Sequence, residues 1–255
     1  MKTLVTAIQK GGQGKTFATC HLAFDFAERG LRVVVIDLDT QGNASFTLAE
    51  HESGIFASAL FGVESSSIRS HFSERGEGSS LSLIAADAGL ANLDKMDVGQ
   101  AAKALRESVA ALGEHFDVCL IDTPPSLSVA MTAAVLSADY MLSPVEMEAY
   151  SLQGMKKMVA VIQNLRKQNP KLRFLGMVPN KVDGRKPRHK NNLATLQQAY
   201  PQLVLPFSIG ARDSIAEALG ERMPVWKIKK SAAREAKKEV RALADYVFKK
   251  MEIAQ

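Results

Sequence analysis

The 255-residue sequence predicts an α/β fold: one mostly parallel, twisted sheet with helices on both faces, built as a single domain over residues 1–255. Three observations lead there. Short apolar, β-branched runs alternate with helix-spaced segments along the whole chain. A glycine-rich loop joins the first run to the first helical segment. Two of the runs close on aspartate, at the sheet edge where such folds bind ligands. No internal repeat or long linker interrupts the pattern.

Taken in order, residues 4–8 read as a strand ending at Gln9, residues 10–14 as the glycine loop and residues 15–29 as a helix. Gly30 suits the left-handed stop after that helix. Residues 32–37 contain Val33-Val34-Val35-Ile36, a continuous run of the kind buried on both faces. The serine-rich stretches 65–70 and 73–80 read as surface loop. A short strand follows at 81–85, a helix at 98–112, and a buried strand at 118–121 that ends in Asp122. Residues 130–137 are helical by spacing and 140–145 extended. A helix at 152–168 stops before Asn169-Pro170, a strand at 174–178 leads into Pro179-Asn180-Lys181, and a helix at 191–200 stops at Pro201. The tail, 231–251, is a long helix whose Val240, Leu243, Val247, Phe248 and Met251 form a stripe that packs on the sheet.

No apolar run approaches the roughly 18–20 residues needed to cross a bilayer, and the N-terminal apolar stretch is too short for a signal peptide. Cys20 and Cys119 sit inside apolar segments, so buried free thiols and a cytoplasmic location are expected. The net charge of +5 is unevenly spread. Residues 1–150 carry 10 Lys and Arg against 19 Asp and Glu, a net of −9; residues 151–255 carry 22 against 8, a net of +14. That asymmetry points the later part of the chain at a polyanion, with a merely solvated basic surface as the alternative.

The stretch IQKGGQGKTF holds the end of a phosphate-binding loop in Gly14-Lys15-Thr16. Gly11, Gly12 and Gly14 let backbone N–H groups approach phosphates, and the following helix adds the positive end of its dipole. Lys15 then neutralises the β- and γ-phosphates, and the Thr16 hydroxyl ligates Mg²⁺. The motif's leading glycine is replaced by Gln9, and a second lysine, Lys10, follows it. In VIDLDTQGN, Asp37 and Asp39 share a strand face; one can support a magnesium shell and the other an attacking water. Asp122, closing FDVCLIDTPPS, matches the magnesium-linked acid of phosphate-loop enzymes, and Pro124-Pro125 stiffen the turn behind it. Asn180-Lys181-Val182-Asp183 keeps a guanine-reading alternative open, while Asn180 alone serves adenine equally well. The basic residues Arg185, Arg188, Arg212, Lys227, Lys229 and Lys230 are candidate DNA-phosphate contacts, with few aromatics between them for base stacking.

Together these motifs resemble the ParA-type partition ATPases, within the wider deviant Walker A group that includes MinD-type ATPases. The resemblance rests on Lys10-Gly-Gly-Gln-Gly-Lys15-Thr16, on Asp37-Leu-Asp39-Thr-Gln41-Gly42-Asn43, on Asp122-Thr-Pro-Pro-Ser126, and on Pro144-Val-Glu-Met-Glu148 with Leu152 and Gly154. It spans the N-terminal two-thirds and is looser beyond. It implies a P-loop NTPase fold, with ATP and Mg²⁺ bound by Gly11, Gly12, Gln13, Gly14, Lys15, Thr16 and Phe17, and with Glu148 and Asn180 near the nucleotide. It implies Lys10, Lys15 and Asp39 as the catalytic groups and Thr16, Asp37 and Asp122 as the metal-linked ones. In such a family Lys10 reaches the nucleotide of a second copy, so two ATP molecules are sandwiched in a homodimer. The implied function is DNA segregation: the ATP dimer binds double-stranded DNA without sequence preference, on the nucleoid, and a ParB-type centromere-binding partner stimulates a weak ATPase and releases it. The resemblance is to the small form without an N-terminal helix-turn-helix, and no membrane partner is expected. A MinD-like membrane-positioning ATPase and a non-hydrolysing nucleotide switch are the alternatives. Thr40 and Phe17 depart from the family pattern, which touches hydrolysis rate more than nucleotide binding.

Overall fold

A computed structural model describes residues 1–62, 65–74, 80–146 and 152–253. The chain runs β1 (Lys2–Thr6), α1 (Lys15–Glu28), β2 (Val33–Asp37), α2 (Asn43–Thr47), β3 (Glu52–Phe56), α3 (Ser65–Glu74), β4 (Leu81–Ala85), α4 (Val98–Leu112), β5 (Val118–Asp122), α5 (Val129–Ser137) and β6 (Tyr140–Glu146). It continues through α6 (Leu152–Gln168), β7 (Arg173–Asn180), α7 (Pro187–Ala199), α8 (Asp213–Gly220) and α9 (Ala233–Lys250). The seven strands form one sheet in the order β3-β4-β2-β5-β1-β6-β7, and each named strand pair is parallel.

Why the strands are β-branched on consecutive positions is visible in the packing. Val33 and Val35 of β2 join Val118 and Leu120 of β5 in the core under α1 and α9. Val34 and Ile36 join Cys119 and Ile121 in the opposite core, under α4 and α5. Each face therefore needs apolar side chains, and the period-2 alternation is hidden because both halves are buried. Helix α9 places Ala236, Val240, Leu243, Val247 and Phe248 against the sheet, at the expected spacing. Cys20 and Cys119 are free and buried.

Three local expectations are corrected and one strand is added. β1 ends at Thr6, not at Gln9. Residues 65–74 form helix α3 rather than loop, because Ile68 and Phe72, one turn apart, bury against the core and outweigh the serines. Strand β3, which the polar Glu52-Ser53-Gly54 concealed, takes the sheet edge beside β4. Helix α7 begins at Pro187, not at 191, so Arg188 stands on its first turn. Helix α2, five residues long, is too short to carry a strong periodic signal in the sequence, whereas the eight-residue α8 is amphipathic.

Candidate functional site

Strand β1 delivers the chain into a loop whose Gly12 and Gly14 adopt φ of +74° and +100°. These left-handed values suit glycine. Gly14 caps α1 without any side-chain hydrogen bond to the helix's first N–H groups, which leaves them for an anion. The loop is tied down from the other side by its middle residue. Gln13 is buried; its Oε1 accepts the Glu146 N–H at 2.8 Å, and its Nε2 donates to the Glu146 carboxylate at 3.3 Å. Asn180 Nδ2 donates to the Gln13 carbonyl at 2.7 Å. The ends of β6 and β7 thus hold the phosphate loop in shape. Gln13 and Asn180 serve through the loop's backbone, a role their sequence positions did not announce.

A cavity of about 510 Å³ opens beside this loop, lined by Gly14, Lys15, Thr16, Phe17, Asp39, Asn180 and Arg212 among others. Lys15 is buried in it; burial lowers its pKa, while Asp122 and Asp39 oppose that shift. The parallel register sets Thr6, Asp122 and Asp37 side by side on adjacent strands. Thr16 Oγ1 donates to Asp122 Oδ2 at 2.6 Å. Asp122 Oδ1 is buried with no hydrogen-bond partner among the described residues. Burial first, and then Asp37, pushes Asp122 up to about 8. A buried hydroxyl–carboxylate pair with an orphan oxygen is the donor set that a hard divalent cation satisfies, and such a cation favours the ionised carboxylate. Thr16 and Asp122 therefore fit Mg²⁺, and Lys15 with the loop N–H groups fits the phosphates of ATP.

The other two acids differ in accessibility. Asp37 is fully buried, accepting from Ser45 N–H and Oγ, both at 2.8 Å, and from the Asp39 N–H at 3.1 Å. Burial raises its pKa. Asp39 lines the cavity and has one oxygen on the Gln41 N–H at 3.0 Å. Lys10 is exposed and, unlike Lys15, does not line the cavity. Phe17 is buried on the cavity wall against the His21 ring. Glu148 lies outside the described residues.

The basic candidates separate into paired and open groups. Arg185 is held by both oxygens of Asp183 at 3.0 and 3.2 Å. That pairing lowers the Asp183 pKa to about 2, and it engages the carboxylate that a guanine-reading motif would need open. Arg212 pairs with Glu239, and Lys230 with Glu217 at 2.6 Å. Lys227 and Lys229 are exposed.

This basic segment is joined to the phosphate-loop helix by contacts that no motif advertises. The buried His21 donates from Nδ1 to the Phe17 carbonyl at 3.0 Å, and its Nε2 accepts the Val225 N–H at 3.2 Å. Arg241 stacks 3.7 Å over Trp226 while pairing with Asp25 and Glu28 of α1. With both ring nitrogens engaged in this way, His21 must be neutral, and burial lowers its pKa from 6.5 to about 4. The unfolded chain therefore binds the extra proton first. Stability is expected to fall as pH drops from about 6.5 towards 4, by up to about 3 kcal/mol from this group. Urea titrations across that range check it: His21→Gln should flatten the dependence, and an equally steep loss in the variant would rule His21 out as its source.

Comparison with known proteins agrees with this fold. A family described as an AAA domain matches residues 1–174. Protein IncC of Escherichia coli is 83% identical over 255 residues, covering all of this chain and 71% of that protein. The chromosome-partitioning ATPase Soj of Thermus thermophilus is 33% identical over 191 residues, 72% of this chain and 71% of that one. Among solved structures, an ATP complex of a Cyanothece McdA variant superposes with a TM-score of 0.81 at 25% identity, covering 100% of this chain and 98% of the other.

Proposed function

Since the chain belongs to the ParA-type partition ATPases, nucleotide hydrolases that use ATP and Mg²⁺, we propose that ATP joins two copies into a dimer that binds double-stranded DNA without reading its sequence. Hydrolysis, stimulated by a ParB-type centromere-binding partner, releases it, and the cycle positions DNA on the nucleoid. The whole chain acts as one domain. The observation that carries the reading is the Thr16–Asp122 pair with its orphan oxygen beside the phosphate loop, together with residues 151–255, whose net charge is opposite in sign to that of residues 1–150.

The roles follow from position. Lys15 neutralises the β- and γ-phosphates in the same subunit, and α1 presents its N-terminal N–H groups to them. Thr16 and Asp122, with Asp37 behind them, would hold Mg²⁺, which would supply charge screening for the phosphates. Asp39, which lines the cavity and is held by a single backbone bond, orients the attacking water. Lys10 points to solvent and stabilises the transition-state charge only when a second copy brings it to the nucleotide, which makes turnover depend on dimerisation.

DNA contact is assigned to Lys227 and Lys229, together with Arg185, Arg188, Arg212 and Lys230. A MinD-like membrane reading would need the apolar end of α9 free for lipid, but Val247, Phe248 and Met251 are buried in the core. DNA binding measured with ATP, with ADP and without nucleotide, at two salt concentrations, tests the reading. ATP-dependent, steeply salt-sensitive binding is expected, and nucleotide-independent binding or none at all would overturn it. Reversing Lys227 and Lys229 to Glu should weaken the ATP-state affinity by at least ~10-fold and flatten the salt slope by about two. An unchanged slope would move the contact elsewhere.

A further inference from the structure

Arg212 occupies an unusual place among the basic residues. It stands at the start of α8, on the wall of the nucleotide cavity, and it also borders a second cavity of about 450 Å³ lined by Asp183, Arg185, Asp213 and Ser214. Its guanidinium is gripped by a carboxylate of α9. Nε donates to Glu239 Oε2 at 2.9 Å and an Nη donates to Oε1 at 2.5 Å. The same Oε2 accepts the Gly210 N–H at 3.0 Å. The guanidinium lies folded over Gly210, where a Cβ would come within 3.0–3.1 Å of it. One acid on the basic tail helix thus fixes both the backbone and the arginine of a loop that walls the nucleotide site.

Two physical consequences meet here. A guanidinium in a two-point pair with a carboxylate has most of its charge and its best donors already used, so it has little to offer a DNA phosphate. The loop that carries it also borders the nucleotide cavity, so occupancy of that cavity can act on the pair directly. The second cavity beside it provides room for the side chain to turn away from Glu239 towards the Arg185 side.

We infer that Arg212 is a gated polyanion contact: Glu239 cages it in the arrangement described above, and rearrangement of the Gly210–Arg212 wall on ATP binding releases it to the DNA backbone. The gate rests on the DNA-binding reading above and adds to it a reason why affinity depends on nucleotide.

Duplex DNA of random sequence, titrated with the full chain over a salt series with and without ATP, tests it. Glu239→Gln keeps the shape and removes the caging charge. It should raise nucleotide-free affinity by about tenfold and steepen the nucleotide-free salt slope by about one, so the ATP-to-apo ratio falls. Glu235→Gln makes the same charge change one turn earlier on α9, at a residue that is paired with Lys238 and acts on Arg212 only through space, and should change that ratio much less. Adding Arg212→Gln to Glu239→Gln should erase the gain. Equal effects from the Glu235 and Glu239 variants, or a gain that survives loss of Arg212, overturn the gate while leaving DNA binding standing. If the unaltered chain with ATP binds no DNA, the functional reading itself fails and the gate falls with it. If Glu239→Gln does not fold, Arg212→Gln alone decides: DNA affinity should drop at ATP concentrations that a fluorescent analogue shows to be saturating for the variant and stay level without ATP, and an equal drop in both states overturns the gate.

Discussion

Lys10→Ala is expected to bind ATP within a few-fold of the unaltered chain and to lose partner-stimulated hydrolysis by about 10²–10³-fold. The two lysines of the loop face different ways. Lys15 is buried in the cavity, whereas Lys10 is exposed outside it. A charge that does not line the cavity contributes little to ground-state binding in the same subunit. Carried to the γ-phosphate by a second copy, it meets charge that grows in the transition state, where a preorganised cation counts most. Phosphate release with DNA and the centromere-binding partner, read alongside equilibrium ATP binding, separates the two effects. Unchanged stimulated turnover would sink the idea of a lysine acting across the dimer. Lys15→Ala, by contrast, should lose binding and turnover together.

Gly14→Ala should cost the site its nucleotide affinity by on the order of 100-fold, from one methyl group. A Cβ at Gly14 would lie 2.2 Å from Asn180 Nδ2, and the residue sits at φ +100°. A non-glycine residue there costs about 1–2 kcal/mol in backbone strain. Asn180 must also withdraw, which breaks its bond to the Gln13 carbonyl and leaves a buried donor and acceptor unmatched, at about 1–3 kcal/mol. The loop would relax away from the geometry its N–H groups need. Calorimetric ATP titration measures the loss. An affinity within a few-fold of the unaltered chain would mean that the loop is less tightly specified than Asn180 and Gln13 imply. Gly12→Ala is the comparison: its φ of +74° carries the same kind of strain, but nothing lies within 4 Å of its Cβ, so its loss should be distinctly smaller.

Much of the fold is legible along the chain. The runs 33–36 and 118–121 are apolar on every residue because both sheet faces are covered, so their composition alone marks them as buried strands. Helices α4 and α6 end where the pattern predicts, at an apolar stripe's last turn and before Asn169-Pro170. Helix α3 and strand β3 are not legible. One is written in serine around just two apolar anchors, and the other is an edge strand with a glycine inside it. Their identity depends on what they pack against.

The candidate site divides in the same manner. Phosphate binding is local chemistry: glycines that permit left-handed turns, a lysine and a threonine at fixed offsets, and acids at strand ends are all short-range patterns. The sequence by itself therefore determined that this chain is an α/β nucleotide-binding protein, and it marked the loop to which phosphate binding is assigned above. Only the tertiary structure decided how that loop is held and what it is connected to. Asn180 reaches back 167 residues to Gln13, His21 meets Val225, and Glu239 takes hold of Arg212 and Gly210. None of these pairs has a characteristic spacing, because the crossover helices and the order of the strands set their separation in space independently of their separation in the chain.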